Sequence, residues 1–198
     1  MTAAPENTSE GRNMKQKSKI FWITRTAALI ALLVAAQAVT APLGNTIITG
    51  TLVNAILIVA VLSCGLGAGA CVAVISPIMA KLSGIGPLWS LIPFIALGNL
   101  TLVSVWLLAG KWCRGSKKYM EQAAVLVFAA AAKFLVLYLG IVKLAVPVIL
   151  GLPEPQATVI SGTFSLPQLV TALLGGILAL PVTQVLKKAG KIKEGSEF

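Results

Sequence analysis

The chain alternates long apolar runs with short breaks that are polar or rich in glycine and proline. About 20 apolar residues in a helix cross the hydrocarbon core of a bilayer, so the runs are interpreted as membrane spans. They predict helices over about 20–41 and 47–64, a third that follows the stretch 65–69 and ends near Lys81, and three more over 88–110, 120–148 and 164–186. The pattern predicts an all-α integral membrane bundle of six transmembrane helices.

The breaks predict how the helices are joined. Pro42 and Gly44 end the first helix, and the stretch 65–69 (GLGAG) predicts a tight reversal or a close crossing. Pro93 is expected to kink the fourth helix near its start, and 151–162 is the longest predicted outer loop. The chain thus divides into a polar, basic N-terminal tail (1–19), a six-helix transmembrane domain (20–188) and a cytoplasmic tail (189–198), whose last four residues resemble a cloning remnant.

Composition supports the membrane assignment. Of the 198 residues, 57% are hydrophobic and 11% are charged, and the mean hydropathy is +0.92. Soluble domains average about 45–50% apolar and roughly 25% charged residues. We therefore expect a multi-pass protein whose surroundings are the lipid bilayer.

The net charge of +10 indicates how the chain is oriented in the membrane and does not indicate a nucleic-acid partner, because the cations lie at helix ends. With the N-terminus in the cytoplasm, thirteen of the sixteen Lys and Arg residues fall on the cytoplasmic side, which obeys the positive-inside rule. Lys81 falls outside, and Lys133 and Lys143 fall within the fifth helix. Both termini are expected to be cytoplasmic. The thirteen are Arg12, Lys15, Lys17, Lys19, Arg25, Lys111, Arg114, Lys117, Lys118, Lys187, Lys188, Lys191 and Lys193.

Several kinds of chemistry lack the residues that they need. The chain has no histidine, no aspartate and three cysteines without a CxxC pair, so the usual zinc or haem ligand sets cannot form. It has no phosphate-binding loop for ATP, and its acids fall in tails, loops or helix ends, where they cannot form an intramembrane proton relay. We expect no enzyme, no metal and no cofactor.

A few polar residues inside the spans are candidates for ligand binding. A lysine at the depth of Lys133 costs roughly 2.5–3.5 kcal/mol on insertion scales, so a cavity or a buried partner is expected there. Lys143 lies ten residues after Lys133, which places it about 80° round an α-helix. There it could share an outward cavity with Lys133, or its side chain could extend to the headgroups. Asn99 is a second candidate, although asparagine also joins helices by hydrogen bonds. The predicted substrate-binding residues are Asn45, Asn99, Lys133, Tyr138, Lys143, Gln168 and Thr171.

The first helix carries a stripe of small residues. Ala27, Ala31 and Ala35 recur every four residues and so share one helix face. Such small-xxx-small stripes let two membrane helices approach closely. From spacing alone, the partner is either a neighbouring helix of the same bundle or a helix of another protein.

Nearly the whole chain, about 20–190, resembles the substrate-binding S components of energy-coupling factor (ECF) transporters. The resemblance lies in the six-span layout, the stripe Ala27, Ala31 and Ala35, the glycine-rich second crossing and the closing segment 164–188, FSLPQLVTALLGGILALPVTQVLKK. It implies a prokaryotic plasma-membrane protein that takes up a vitamin or similar small molecule. The stripe would dock on a transmembrane coupling subunit powered by two cytoplasmic ATPase subunits.

The resemblance also implies that helices 4–6 and the first outer loop hold the vitamin, and that the subunit topples in the membrane to release it. Only the three alanines match a family motif, so the ligand stays open. Two lysines without a partner acid favour an anionic ligand. The alternatives are a non-transport assembly or regulatory subunit, and a facilitator or channel, which is disfavoured because no row of pore-lining polar residues is evident.

Overall fold

The computed structural model describes residues 7–84, 86, 88–112 and 118–188, and all of its regular structure is helical. The helices are α1 (Asn7–Thr40), α2 (Thr46–Leu82), α3 (Ile92–Trp112), α4 (Lys118–Leu137), a π-helical segment (Tyr138–Leu150), α5 (Gln156–Thr163) and α6 (Leu166–Lys188). The tail 189–198 and the predicted cytoplasmic cations Arg114, Lys117, Lys191 and Lys193 lie outside the described residues.

Five helical stretches of the described chain are long and apolar enough to cross a membrane. They are Ser18–Leu43, Thr46–Leu82, Trp89–Ala109, Met120–Leu150 and Gln156–Leu186. By length and composition, this is the architecture of a multi-pass membrane protein.

The second of these stretches, α2, departs from helical geometry at Gly65, whose φ is 83° and ψ is −176°. A Cβ added at Gly69 would stand 2.9 Å from the Cβ of Val61. In a straight helix, residues eight apart are separated by about 12 Å along the axis. The chain therefore folds back at Gly65, and the segments 46–64 and 66–82 pack side by side. Glycine is required there because other residues avoid positive φ.

Hydrogen bonds from side chains of α1 to the backbone of α2 define the two ends of the bundle. Near the start of its apolar part, Trp22 Nε1 donates to the carbonyl oxygen of Cys64 at 3.0 Å. Fifteen residues later, or about 22 Å along the helix, Gln37 Nε2 donates to the carbonyl oxygen of Ser76 at 3.3 Å. We call the end that contains Gly65 the turn face. The opposite end, which carries residues 41–45, 83–84 and 151–155, is the loop face.

The α2 hairpin lies at the centre of the bundle and packs against α1, α3 and α6. Apolar side chains from all these helices and α4 form the main core, and a smaller core beneath the loop face joins α3, the π-helical segment and α5. The largest fully buried apolar side chains are Leu33, Leu57, Ile58, Leu91, Leu102, Leu137 and Ile141. Burial of this apolar surface between helices fixes their relative positions.

Three elements differ from the sequence prediction. Helix α1 already begins at Asn7, within the predicted tail. The predicted loop 151–162 contains α5, because Ala157 and Ile160 have an apolar cluster around Phe164 to pack against. Pro93 occupies the first turn of α3, where no backbone N–H is needed.

Candidate ligand-binding site

The centre of the candidate site is Lys133 on α4. Its side chain is 3% exposed, and its Nζ donates to Asn54 Oδ1 at 2.6 Å and to Asn99 Oδ1 at 2.7 Å. Asn54 and Asn99 are themselves 1% and 2% exposed. Two short hydrogen bonds from two helices offset part of the cost of burying the lysine.

The rest of the network fixes both amides in one orientation. Asn54 Nδ2 donates to Thr171 Oγ1 at 3.3 Å, and Asn99 Nδ2 donates to the carbonyl oxygen of Ala73 at 3.3 Å. Thr171 Oγ1 in turn donates to the carbonyl oxygen of Gln168 at 3.1 Å. Because a lysine ammonium only donates, both amide oxygens must face it, and both amide nitrogens must find acceptors elsewhere.

Glycines bring α6 close enough to α2 to complete this network. A Cβ at Gly175 would stand 2.5 Å from the Cβ of Asn54 and 2.9 Å from the carbonyl oxygen of Thr51. A Cβ at Gly50 would stand 3.0 Å from Cγ2 of Thr171. The crossing thus places the Thr171 hydroxyl within reach of Asn54 because neither glycine has a side chain at the contact.

A cavity of about 390 Å³ extends from this network to the loop face. Its deep end holds buried polar side chains, and its rim is formed by exposed residues of the connection between α1 and α2. It therefore has a closed polar end and an open end. The lining residues are Gln37, Thr40, Ala41, Gly44, Asn45, Thr46, Thr49, Gly50, Val53, Asn54, Ser76, Pro77, Ala80, Gly86, Ile95, Asn99, Lys133, Thr163, Phe164 and Gln168.

Gln37 lines the same cavity and is 3% exposed. Its Nε2 donates to the carbonyl oxygen of Ser76 at 3.3 Å and to Ser76 Oγ at 3.4 Å. Its Oε1 is buried and has no hydrogen-bond partner among the residues that the structure describes. A buried acceptor without a donor is uncommon in proteins, so this atom is available to a donor group that enters the cavity.

Within the described part of the chain, the cavity has a basic lining and no carboxylate. Glu121 precedes Lys133 by twelve residues on α4, or about 18 Å along the helix, and Glu154 accepts a hydrogen bond from Thr158. Neither acid lines the cavity. Lys133 is thus held by neutral amides.

The structure brings four of the seven predicted binding residues to the cavity: Asn45, Asn99, Lys133 and Gln168. Asn45 lies at the rim, where its Oδ1 caps α2 by accepting from Ile47 N at 3.0 Å. Thr171 lies behind the lining, against Asn54.

The other two predicted residues lie outside the lining. Tyr138 stacks on Phe134, with ring centroids 5.6 Å apart. Lys143 is exposed, with its Nζ 5.6 Å from the centroid of the Tyr138 ring. These two side chains contact each other and not the cavity.

Sequence reasoning missed Asn54 and Gln37. Each is a single amide within an apolar helical run, which is the signal that identified Asn99. The same criterion, a lone amide in an apolar run, would have predicted Gln37, Asn54 and Asn99 together. Ser76 gave no such signal, because serine is common in transmembrane helices.

The alanine stripe lies on the face of α1 that points away from the bundle. Ala27, Ala31 and Ala35 are exposed, whereas Leu33 and Gln37 are buried against α2. No described helix of the chain covers the stripe.

Chemically, the cavity offers hydrogen-bond donors and acceptors to a small polar molecule at a closed end and an opening for its entry. Neither a known family model, nor a curated protein, nor a solved structure matches the chain.

Proposed function

We propose that the protein is the membrane-embedded binding subunit of an uptake system for a vitamin or a similar small molecule. The observation that carries this proposal is the cavity, which opens at the loop face and ends at Lys133 between Asn54 and Asn99. Concave sites with a few convergent polar groups in an otherwise apolar lining are typical of small-molecule binding. Buried ionisable residues within a membrane span are typical of substrate pathways.

The proposal includes six membrane spans with both termini in the cytoplasm. The count of six is supported by the reversal at Gly65, because α2 then counts as two crossings among the five apolar stretches. Lys19 and Arg25 lie towards the turn face, close to Trp22, so the positive-inside rule assigns that face to the cytoplasm. The cavity then opens to the outside, where an uptake system meets its substrate.

The proposal also assigns the alanine stripe as the docking surface for a transmembrane coupling subunit. In lipid, small side chains on an outward face gain little unless another helix packs closely against them. The chain has no phosphate-binding loop, so the energy would come from two ATPase subunits in the cytoplasm. The setting is the plasma membrane of a prokaryotic cell.

Co-purification tests this assignment. The tagged full-length chain, isolated from its native membranes, is expected to bring down one membrane protein together with ATPases that contain phosphate-binding loops. Ala31→Trp should abolish this complex, because the bulky side chain prevents close helix contact. Ala124→Trp is the matched control, since Ala124 is exposed on α4, and it should preserve the complex.

Two results would argue against the proposal. A complex that survives Ala31→Trp would remove the docking role of the stripe. A chain that purifies without membrane partner, ATPase or small molecule would favour the alternative, an assembly or regulatory subunit.

A further inference from the structure

The Lys133 ammonium has one more hydrogen-bond donor than the described residues satisfy. A lysine ammonium carries three N–H groups, and the described residues supply acceptors for two of them, Asn54 Oδ1 and Asn99 Oδ1. Lys133 also lines the cavity. A molecule that reaches the deep end would therefore meet a cationic donor that lacks an acceptor.

Gln37 presents the opposite requirement. Its Oε1 is a buried acceptor with no donor among the described residues, and Gln37 lines the same cavity from α1. Leaving a buried polar atom unpaired is costly, so a ligand that donates to it gains binding energy. The cavity is therefore complementary to a ligand that accepts a hydrogen bond near α4 and donates one near α1.

The charge of the described cavity lining further restricts which ligand group can pair with Lys133. Lys133 is the one cation in the described lining, and no carboxylate accompanies it. In surroundings of low dielectric, an anion would pair with Lys133 far more favourably than a neutral acceptor, and a cation would be repelled. Phe164 is the one aromatic residue of the described lining, so the described residues offer no pair of rings to clamp a flat cation.

Resting on the proposed binding function, we infer that the ligand is a small carboxylate that also carries an N–H or O–H donor. Its carboxylate pairs with Lys133 between Asn54 and Asn99, and its donor bonds to Gln37 Oε1. The cavity volume of about 390 Å³ lies near the lower end of the roughly 300–1,000 Å³ usual for small-molecule sites. This restricts the class to compact molecules.

Acids paired with their neutral counterparts test the class. Pantothenate and biotin are added to the purified full-length chain, each beside its neutral counterpart, pantothenol or biotinamide, with thiamine as a cationic probe. Thermal unfolding reports binding, because a ligand of the folded state raises Tm. Small molecules retained through purification are extracted in parallel and identified by mass spectrometry.

The first variant is Lys133→Met, for which Lys188→Met, at an exposed position of α6, is the matched control. We expect binding of the acid or retained anion to weaken about 10- to 100-fold in Lys133→Met, as expected for loss of a hydrogen bond to a charged group. Lys188→Met should bind as the unaltered chain does.

A second variant avoids the buried network in case Lys133→Met fails to fold. Asn45→Asp keeps a good N-cap for α2 and adds a negative charge at the rim, so an anion should bind several-fold more weakly. Gln156→Glu adds the same charge at the start of α5, outside the described lining, and should bind nearly normally.

The outcomes separate the two proposals. An acid that stabilises the chain more than its neutral counterpart, or an extracted anion that both site variants lose, supports the inference. Equal stabilisation by acid and neutral counterpart, stabilisation by thiamine, or a retained neutral or cationic molecule overturns the carboxylate class but leaves a binding subunit. No stabilisation by any probe together with no retained molecule overturns the binding function itself.

Discussion

The indole Nε1 of Trp22 donates a hydrogen bond to the carbonyl oxygen of Cys64, the residue before the reversal at Gly65. The ring fits there because Gly67 has no side chain: a Cβ at this position would stand 3.2 Å from Trp22 Cζ2. Trp22 thus joins α1 to the α2 hairpin at the turn face.

Replacing Trp22 by phenylalanine should lower the stability of the bundle. The Cys64 carbonyl would lose its partner, and we expect a loss of about 1 kcal/mol in the free energy of unfolding. Reversible unfolding in mixed detergent micelles measures the loss. Trp89→Phe is the control, because Trp89 is exposed beside α3; equal losses in the two variants would contradict the role of the hydrogen bond.

Replacing Gly65 by alanine should be more damaging. With φ at 83° and ψ at −176°, the backbone is in a region that residues with a Cβ avoid, at a cost on the order of 1–3 kcal/mol. Expression and Tm should both fall.

Gly162→Ala provides the comparison for Gly65→Ala. Gly162 lies in α5 with nothing within 4 Å of an added Cβ, so this variant should be neutral or slightly stabilising. A stable, fully folded Gly65→Ala protein would show that the reversal does not depend on glycine.

Gly175→Ala should separate α6 from α2 and open the floor of the cavity. The new methyl group would meet Ala55 N and Thr51 O at 2.9 Å, and backbone atoms cannot move aside as a side chain can. We expect a lower Tm and loss of any small molecule that the unaltered chain retains through purification. Retention at the normal level would mean that the α2–α6 crossing does not position Asn54.

Asn54 and Lys133 should be energetically coupled. Asn54→Leu alone leaves the buried ammonium with one amide acceptor and should cost about 1.5–3 kcal/mol, the range for hydrogen bonds to charged groups. In the Lys133→Met background the same change should cost clearly less, because no charge then needs the amide.

A double-mutant cycle measures this coupling from unfolding free energies of the four proteins. Additive effects, with no coupling beyond about 0.5 kcal/mol, would show that the short hydrogen bond contributes nothing to stability.

The helices were predictable because apolar runs and glycine-proline breaks directly reflect the thickness of the bilayer. The turn at 65–69 was also predictable, because a glycine-rich segment such as GLGAG can bend sharply and lets neighbouring helices approach closely. The start of α1 and the presence of α5 were not, because both are helices in polar or mixed segments where composition alone favours a tail or a loop.

The site was predictable where a residue is rare in a membrane, and unpredictable where backbone geometry decides. Lys133 is conspicuous in an apolar run, whereas Asn54 becomes important only through its contact with Lys133, 79 positions away in the chain. The prediction for Lys143 assumed α-helical spacing. The segment from Tyr138 is π-helical, and its wider turns advance fewer degrees per residue, so Lys143 lies on a different side of the helix.

If the protein is the uptake subunit proposed above, the neutral partners of Lys133 have a consequence for the energetics of transport. While the cavity is empty, the deep end holds a positive charge that no described acid balances, and a low-dielectric membrane penalises its movement. Entry of a monoanion would cancel that charge. If the subunit reorients through the lipid, the occupied protein would then do so more readily than the empty one. Reorientation without a bound ligand, which would transport nothing, would be disfavoured.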